Sequence, residues 1–560
     1  MIKYSYLPAF LSEMEKCGKC GDCAAAVEIT SAKKHINKPC VIKNVLGFEA
    51  YDARGRILLL KRLLDGTLTI NEELLDWAYL CLLCGNCQET CLAIDKGINL
   101  PSMMEAFRRD LIENGINYPK HLEIIEKTFQ HNNPYGEPHK KRFNFILSEN
   151  FPEKAEIVVF FGCTAAYRQQ NIANATFKLL KKANIEFTVL KEEKCCGSVL
   201  LRYGYNDRVK VLAKDLIDQI QKSGAKTVIF PCAGCYRTFK VDYPQLIEMP
   251  DNVELIHIVE FLERLVKENK IHFRLKNTQQ ISYHDPCHLG RAVGVFESPR
   301  FLINSIQNAN LVEMETRRNY SHCCGAGGGV KSCFPEISLK VGQNRIIEAS
   351  QNKIDYLVSA CPFCKTNLAQ GLNGHEFQVL DLTELLSQTI DESLTGSIVK
   401  NDSSIIENSL TADYISYLSN NPEIFSDLSP DSVLDFTIYD SIDAFEDELP
   451  HTGAFHVKRL ENKIEIHSGL ADNADLQLAL SEGAVKELIK SKEKQGYSHK
   501  FGKFYNDPED EFWIDFVLHK RTKTLLKMGY GKFAEEAGIL DEDEEDLEDL
   551  DERVKINLKE

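Results

Sequence analysis

Hydrophobic and polar residues alternate in blocks that predict strands and helices in turn over much of the chain. Short apolar runs, such as EIVVFF at 156–161 and TVIF at 227–230, are each followed by a longer stretch with helical spacing. Strands that alternate with helical patterns of about 10–15 residues predict βαβ units and a parallel sheet. The same order of elements occurs over 155–260 and again over 278–385. We therefore predict two copies of one α/β domain.

The segments outside these two copies have other patterns. Residues 1–145 contain stretches such as RILLLKRLL and ELLDWAY, which predict a helical domain. Residues 386–409 are polar and serine-rich at their centre, as expected for a linker. Strand patterns surround an amphipathic helix over 410–538, which predicts an α+β domain, and 539–560 form an acidic tail. The predicted fold class is therefore multidomain α/β.

Composition narrows the range of partners and compartments. The formal net charge is −17, and ten acidic residues lie between Asp541 and Glu552, so the tail carries much of the excess. This balance argues against nucleic acid as a partner. No apolar run approaches the roughly 18 residues of a membrane-spanning segment, and the N-terminus lacks the pattern of a signal peptide. We expect a cytoplasmic protein, without a transmembrane segment of its own, that can associate peripherally with a membrane through a partner.

The chain has 19 cysteines, all at or before Cys364 and mostly in short, spaced groups. In a cytosolic protein such grouping favours metal or redox chemistry over structural disulfides. Each α/β copy carries five of them at similar spacing, and each group follows a predicted strand. Because ligands of parallel sheets bind beyond the carboxyl ends of the strands, we expect each set of five to converge. The two sets are Cys163, Cys195, Cys196, Cys232 and Cys235, and Cys287, Cys323, Cys324, Cys361 and Cys364.

Each set contains an adjacent pair, Cys195–Cys196 or Cys323–Cys324. Neighbouring side chains point apart, so such a pair suits different iron atoms of one larger cluster better than one small ion. A strained vicinal disulfide is the alternative, while zinc, with four ligands, fits five cysteines poorly. The glycines of HCCGAGGG (322–329) are expected to let the backbone pass close to an inorganic core, with a nucleotide-phosphate loop as the alternative. We expect Cys333 to be a buried or free thiol.

The N-terminal region carries eight further cysteines in two runs. The second run, CLLCGNCQETC at 81–91, has the C-x2-C-x2-C-x3-C spacing of bacterial-type ferredoxins. The first run, CGKCGDC at 17–23, is followed by no cysteine until Cys40. The simplest assignment crosses the runs, and its alternative is one cubane plus a stray or zinc-binding triplet. One [4Fe-4S] cubane would bind Cys17, Cys20, Cys23 and Cys91, and the other would bind Cys40, Cys81, Cys84 and Cys87.

Two ferredoxin-type runs followed by two C-x(31–38)-C-C-G-x(33–36)-C-x-x-C repeats resemble the D subunit of heterodisulfide reductase. The pattern is also similar to iron–sulfur subunits of anaerobic glycerol-3-phosphate dehydrogenase and of lactate or glycolate oxidation systems, and it covers about residues 10–375. The resemblance implies a helical ferredoxin-like domain with two [4Fe-4S] cubanes. It further implies two cysteine-rich CCG domains, each holding a non-cubane [4Fe-4S] cluster through its five cysteines.

The resemblance also implies a mechanism and partners. A partner flavoprotein or membrane cytochrome would supply electrons to the cubanes, and the two facing non-cubane clusters would reduce a disulfide substrate to two thiols. His284, His288 and His322 lie beside ligand cysteines. Each is a candidate proton donor, a hydrogen-bond donor that tunes a cluster, or a structural neighbour. The alternative functions are an electron-transfer subunit between a flavin dehydrogenase and a quinone or cytochrome, and a structural metal protein.

The C-terminal region, 410–538, resembles a sterol-carrier-type (SCP2-like) domain. The resemblance rests on a strand pair, the segment ADLQLALS, a helix and the strand WIDFVLHKR. Such a fold would enclose an apolar ligand in a tunnel. The alternative is a docking or dimerisation module with a filled core.

Overall fold

The computed structural model divides the chain into two units, Met1–Ile398 and Val399–Glu560. Helices and sheets are mixed in both, and the first unit contains two parallel sheets, in agreement with the predicted α/β class. In the part of the chain that the structure describes, no helix is both long enough and apolar enough to cross a bilayer. The structure does not describe the acidic tail or residues 392–408 of the predicted linker. The structure describes residues 2–27, 36–91, 97–146, 151–391, 409–441, 453–461, 463–468, 471, 474–491, 493–509, 511–518, 525 and 528–537.

The N-terminal part of the first unit consists mainly of helices. A representative helix, Ala53–Leu64, is capped by the preceding residue, Asp52, whose Oδ1 accepts a hydrogen bond from Gly55 N at 2.9 Å. Its residues Ile57, Leu60 and Leu63 recur at helical spacing and are buried. Two short antiparallel strands are β1 (Ala26–Val27) and β2 (Ile36–Asn37). The helices are α1 (Leu11–Glu15), α2 (Val41–Leu46), α3 (Ala53–Leu64), α4 (Glu72–Tyr79), α5 (Asn86–Glu89), α6 (Leu100–Glu113) and α7 (Leu122–His131).

The first α/β copy has a three-stranded parallel sheet. Its strands, in spatial order, are β3 (Ile157–Val159), β4 (Thr227–Phe230) and β5 (Glu254–His257). Its helices are α8 (Gly162–Tyr167), α9 (Gln170–Lys182), α10 (Ser198–Tyr203), α11 (Asn206–Lys222), α12 (Ala233–Arg237) and α13 (Ile258–Lys267). The run IEFTVL at 185–190, for which the alternation of strands and helices predicts a strand, forms one bridge, between Thr188 and Val158. The chain turns at Asn184, where φ is 54°, and Thr188 then pairs with β3: its N donates to Ile157 O at 2.9 Å, and its O accepts from Val159 N at 3.0 Å.

The second α/β copy repeats this plan with a fourth strand at one edge. All neighbours are parallel, in the order β7-β6-β8-β9. The strands are β6 (Phe273–His284), β7 (Ile306–Leu311), β8 (Tyr356–Ser359) and β9 (Gln378–Asp381). The helices are α14 (Gly290–Val293), α15 (Glu297–Asn304), α16 (Val330–Cys333), α17 (Pro335–Ser350), α18 (Pro362–Gln370) and α19 (Leu382–Gln388). The helix α19 therefore extends three residues into the predicted linker.

The carboxyl end of β9 holds a buried acid, Asp381. Its Oδ1 accepts hydrogen bonds from Thr383 N at 3.0 Å and Thr383 Oγ1 at 2.7 Å, which caps α19. Burial raises the pKa of Asp381 from 3.8 to about 7. The folded chain thus holds this proton more tightly than the unfolded chain does. The stabilising contribution is complete below about pH 4 and is lost as the pH rises through about 7.

Asp381→Asn keeps the capping oxygen and removes this titration. Between pH 5.5 and 8 we expect the free energy of unfolding of the wild type to fall by about 2 kcal/mol relative to that of the variant. Anaerobic guanidinium unfolding at several pH values measures this difference. Parallel pH profiles for the two proteins would show that Asp381 does not titrate in this range.

The second unit contains one mixed five-stranded sheet with helices. Apolar residues alternate along its central strand, where Leu434, Phe436 and Ile438 face the core. The spatial order is β12-β11-β10-β13-β14, and only the β10–β13 pair is parallel. The strands are β10 (Val433–Tyr439), β11 (Gly453–Arg459), β12 (Ile464–Ser468), β13 (Leu476–Ser481) and β14 (Ile514–Leu518), and the helices are α20 (Ser409–Asn420), α21 (Glu482–Leu488), α22 (Lys494–Asn506) and α23 (Tyr530–Glu536). The sterol-carrier-type resemblance of this region stays a prediction.

Candidate metal centre

The five cysteines of the first copy are brought together at one end of its sheet. Cys163 lies at the start of α8, just beyond β3, and Cys232 lies just beyond β4, before α12. The thiol of Cys163 contacts that of Cys195. The neighbouring Cys196 contacts Cys235, which in turn contacts Cys232. All five are buried, so the strand ends and the loop before α10 converge as the sequence predicts.

The second copy repeats the arrangement. The thiol of Cys323 contacts Cys287 on one side and Cys324 on the other. Cys324 contacts Cys364, which contacts Cys361. Four of the five are buried, and Cys287 is half-buried.

The two sets meet at one pair of thiols, Cys232 of the first copy and Cys361 of the second. Cys232 follows β4 and Cys361 follows β8, and each is the first cysteine of a C-x-x-C segment. The carboxyl ends of these two strands therefore face each other. The ten thiols therefore form one continuous row across both copies. Hydrophobic and polar periodicity cannot predict this contact, because it depends on how two separate sheets pack.

The glycine of each CCG segment lies just after the cysteine pair, where the loop turns toward the next helix. Gly197 and Gly325 have φ of 79° and 94°, a region that side chains disfavour. A Cβ on Gly197 would lie 2.8 Å from Val209 Cγ1, and one on Gly325 would lie 2.7 Å from Ser338 O. Each CCG glycine thus permits close packing against the long helix that follows.

In the N-terminal region, Cys40 and the second run share one cavity. The wall of this cavity includes Cys40, Cys81, Cys84 and Cys87 together with the side chain of Arg56. Cys40 is the residue just before α2. Cys81 and Cys84 lie in the loop between α4 and α5, and Cys87 lies on α5. One apolar cavity thus collects the four cysteines that the crossed assignment groups together.

The first run lies closer to solvent. Cys20 is exposed, and its thiol donates to Asp22 Oδ2 at 3.1 Å, while Cys17 and Cys23 are half-buried. Cys91 follows α5 and is also half-buried. The grouping of Cys91 with the first run stays a prediction.

The N-terminal group contacts the second α/β copy directly. The thiol of Cys84 contacts that of Cys323. Arg291, on α14 of the second copy, donates from Nε to Cys84 O at 2.8 Å and from Nη1 to Ser321 O at 2.6 Å. One residue that lines the cavity, Cys84, therefore contacts the row of ten thiols directly.

The glycine loop in HCCGAGGG has a different neighbour from the one predicted. A Cβ on Gly328 would lie 2.2 Å from Cys81 O, and one on Gly327 would lie 2.8 Å from Leu82 O. The loop thus packs on the backbone of the N-terminal cysteine turn. The expectation that these glycines make room for an inorganic core is wrong at these two positions, because the space is filled by protein backbone.

We expect Gly328→Ala to disturb the junction between the loop and the cysteine turn. The φ of Gly328 is 61°, and the added Cβ would overlap Cys81 O. A loss of about 2–4 kcal/mol in the free energy of unfolding and a partial loss of bound iron are expected. Gly374→Ala is the matched control, because Gly374 also has a positive φ, 85°, but faces open space. Thermal unfolding and iron analysis compare the two variants, and equal behaviour would contradict the packing argument.

A buried arginine joins three parts of the first unit at this junction. Arg108, on α6, donates from Nη1 to Arg202 O at 2.7 Å and to Gly328 O at 2.9 Å. Its Nη2 donates to Ala78 O at 2.8 Å and to Cys81 O at 2.9 Å. The side chain thus connects the N-terminal cysteine turn with both α/β copies. Sequence reasoning missed Arg108, because no local motif marks an arginine that binds distant backbone carbonyls.

The three candidate histidines lie among different partners. His284 Nδ1 accepts a hydrogen bond from Arg345 Nε at 3.1 Å. His288 Nε2 lies 3.0 Å from Nη1 of Arg237, which belongs to the first copy, and burial with this nearby cation lowers the pKa of His288 well below its usual range. His322 Nδ1 lies 3.5 Å from a carboxylate oxygen of Glu348. A proton-donor role for any of the three stays a prediction.

Cys333 lies outside the row of thiols. It is 9% exposed, and its thiol lies 3.7 Å from Ser332 Oγ. Burial raises the pKa of Cys333 from 9.0 to about 11. It is therefore a buried, protonated thiol, as the sequence suggests.

The chemistry of the ten thiols fits an iron–sulfur site. All 19 cysteines are free, so neither adjacent pair forms a disulfide. Contacts with neighbouring thiols, together with burial, raise the pKa of Cys235 and of Cys364 well above the usual range. The same contacts lower the pKa of the neighbouring Cys232 and Cys324, so the row pairs readily ionised thiols with protonated ones, and metal binding would displace the remaining protons. Soft thiolates favour iron–sulfur clusters, copper(I) or zinc, and five ligands per copy exceed the four that zinc binds.

The comparison with protein families matches both α/β copies. A family described as "Cysteine-rich domain" (CCG) matches residues 157–240 and 281–369. Each range begins within the first strand of a copy and includes its C-x-x-C segment.

Curated relatives resemble the chain over about two-thirds of its length. The D subunit of the dihydromethanophenazine:CoB–CoM heterodisulfide reductase of Methanosarcina barkeri is 37% identical over 394 residues, which are 68% of this chain and 95% of the relative. The B subunit of the fumarate reductase (CoM/CoB) of Methanothermobacter marburgensis is 29% identical over 68% of this chain and 73% of its own. The EtfAB:quinone oxidoreductase of Syntrophomonas wolfei is 26% identical over 68% of this chain and 59% of its own.

Proposed function

The chain belongs to the family of heterodisulfide reductase D subunits, and we propose that it is the iron–sulfur subunit that reduces a disulfide substrate in a larger redox complex. The observation that carries this proposal is the continuous row of ten thiols, complete in both copies and joined at Cys232 and Cys361. The resemblance to this family implies that paired sites of this kind act at two sulfur atoms. A disulfide is the substrate class with two adjacent sulfurs to divide between two facing sites.

The cysteines fall into four ligand sets under this proposal. When bound, iron–sulfur clusters at these sets supply one-electron carriers. The shared cavity around Cys40 supports a cubane held by that residue and the second run. The two α/β copies supply the five-cysteine sets for two non-cubane clusters. The first cubane would bind Cys17, Cys20, Cys23 and Cys91, the second Cys40, Cys81, Cys84 and Cys87, and the non-cubane sites are the two sets of five.

The contacts between sets suggest where the N-terminal region connects with the site of reduction. The thiols of Cys84 and Cys323 touch, so the second ferredoxin-type run contacts the second set of five cysteines directly. Reduction of R–S–S–R′ requires two electrons and two protons and yields RSH and R′SH. The sequence contains no flavin or nicotinamide motif, so a flavoprotein or membrane cytochrome is the proposed electron donor.

Anaerobically purified protein tests the proposal. Four [4Fe-4S] clusters would give about 16 iron atoms per chain, whereas about eight would mean that the two α/β copies hold none. Reduced viologen dye should drive reduction of the coenzyme M–coenzyme B disulfide, with two dye molecules oxidised per disulfide. Added thiol should also change the electron paramagnetic resonance (EPR) spectrum. Full iron content without turnover and without a thiol-induced signal would contradict the disulfide reductase proposal.

The second candidate is an electron-transfer subunit, favoured by the similarity to the EtfAB:quinone oxidoreductase. In that case the chain would pass electrons between a flavin dehydrogenase and a quinone or cytochrome. Dye-dependent reduction of a soluble quinone, with no activity on disulfides, would favour this candidate.

A further inference from the structure

Arg345 is held in one orientation inside the second α/β copy. It is fully buried on α17, and its Nη1 donates to Thr316 Oγ1 at 2.6 Å. Its Nη2 donates to Thr316 O at 2.8 Å and to Ser321 Oγ at 3.1 Å. Glu348 forms an ion pair with Nη1 at 2.6 Å. The remaining donor, Nε, reaches His284 Nδ1 at 3.1 Å.

This arrangement fixes the protonation pattern of His284. A guanidinium group has donors and no acceptor, so the Nδ1 that it contacts must be the acceptor. The ring is therefore neutral, and its proton is on Nε2. His284 is itself 1% exposed, and its side chain lies beside Cys324 and Cys364, with one ligand atom from each of the three residues within 4.8 Å of the others. Its ring makes a hydrogen-bond contact with the Cys324 thiol.

The first α/β copy has no such donor at the equivalent position. His284 is three residues before Cys287, and Phe160 is three residues before Cys163. Phe160 is fully buried, with its ring centroid 5.7 Å from that of Phe230. At the first copy, a residue of the N-terminal region takes this role: Arg142 donates from Nη2 to Cys163 Sγ at 3.3 Å. Different donors thus reach different cysteines in the two copies.

We propose that His284 is a positioning residue that donates its Nε2 proton to the Cys324 sulfur and raises the reduction potential of the second-copy cluster alone. This inference rests on the proposed function, because it requires a cluster on the second set of cysteines. Hydrogen bonds to ligand sulfur stabilise the more negative, reduced state of a cluster. The proton stays on the imidazole, because Arg345 occupies the only other nitrogen. His284 is therefore neither an iron ligand nor a proton source for the substrate.

The test compares His284→Phe and His284→Gln in the full-length, cluster-loaded protein. Phenylalanine reproduces the residue of the first copy and removes the donor. Glutamine keeps both roles, since its oxygen can accept from Arg345 and its amide can donate to Cys324. Phe160→Leu is the control at the matched position of the first copy. Dithionite titration with redox mediators, followed by EPR spectroscopy, gives the midpoint potential of each cluster.

We expect His284→Phe to lower one non-cubane potential, with about a tenfold smaller ratio of reduced to oxidised cluster at fixed poise, which is about 59 mV for one electron. The other potentials and the iron content should not change. His284→Gln and Phe160→Leu should both resemble the wild type. Unchanged potentials in His284→Phe, or equal shifts in both non-cubane clusters, would overturn the inference.

Two further outcomes have separate meanings. If His284→Phe loses iron, His284 is a ligand or a structural residue, and the inference fails while the proposed function stands. If the wild type itself contains only about eight iron atoms per chain, the α/β copies hold no clusters. That result overturns the proposed function, and the inference with it.

Discussion

Replacing Cys324 by serine is expected to lower disulfide turnover by about 10⁴-fold, because residues that act as a unit in catalysis lose most activity when one is removed. Cys324 lies at the centre of the second set, in contact with Cys323 and Cys364. A serine hydroxyl is a poor substitute for a soft thiolate ligand. The bound iron should fall by about four atoms per chain, while dithionite should still reduce the N-terminal cubanes.

Cys333→Ser is the matched control for this experiment. Cys333 is also a buried cysteine of the second copy, but it contacts Ser332 rather than the row of thiols. The Cys333→Ser protein should contain as much iron as the wild type, and its turnover should stay within about twofold of the wild-type value. Iron analysis and the viologen-linked assay measure both variants. Retained turnover in Cys324→Ser would exclude the second set from catalysis, and iron loss in Cys333→Ser would make Cys333 a ligand.

Arg108→Leu should produce the largest loss of stability among single substitutions in the first unit. The change leaves four backbone carbonyls, of residues 78, 81, 202 and 328, without their buried donor. Hydrogen bonds to charged groups contribute about 1.5–3 kcal/mol each, although not additively. A loss of about 5 kcal/mol or more in the free energy of unfolding is therefore expected.

The neighbouring Arg109 provides the control for Arg108. Arg109 is partly exposed and pairs with Glu113 at 3.1 Å on the same helix. Its replacement by leucine should cost less than about 1 kcal/mol, as for other surface ion pairs. Anaerobic guanidinium unfolding of both variants gives the comparison. Similar losses would show that the carbonyl contacts of Arg108 contribute little.

The sequence predicted the local features of the first unit well, for a physical reason. Parallel strands place their carboxyl ends at one edge, so cysteines after β3 and β4 had to approach one another. The twofold occurrence of the CCG segment marked the duplication. The crossed grouping of Cys40 with the second run also followed from ferredoxin spacing, and the shared cavity around Cys40 supports it.

The contacts between separate parts of the chain could not be predicted in this way. The Cys232–Cys361 and Cys84–Cys323 contacts depend on the packing of whole domains, which periodicity does not encode. Gly327 and Gly328 indicated that another group lies close to the backbone there, but not which group. That group is the backbone of Cys81 and Leu82 rather than an inorganic core. Two edge elements also differed from prediction, because edge strands depend on few neighbours. The segment at 185–190 forms one bridge, and the strand expected over NLVEMET at 310–316 begins earlier, as β7 at 306–311.

The position of Arg108 has a consequence for the biogenesis of the protein. Its partner Gly328 lies 220 residues further along the chain, which a ribosome synthesises in roughly 10–40 s at 5–20 residues per second. During that interval the nascent N-terminal cysteine turn lacks the loop that later covers it. Iron delivery to Cys81 and Cys84 would therefore either wait for completion of the second copy or need a chaperone that shields the turn. Truncated chains ending before the second copy are expected to leave this pair of cysteines open to air and to alkylating reagents.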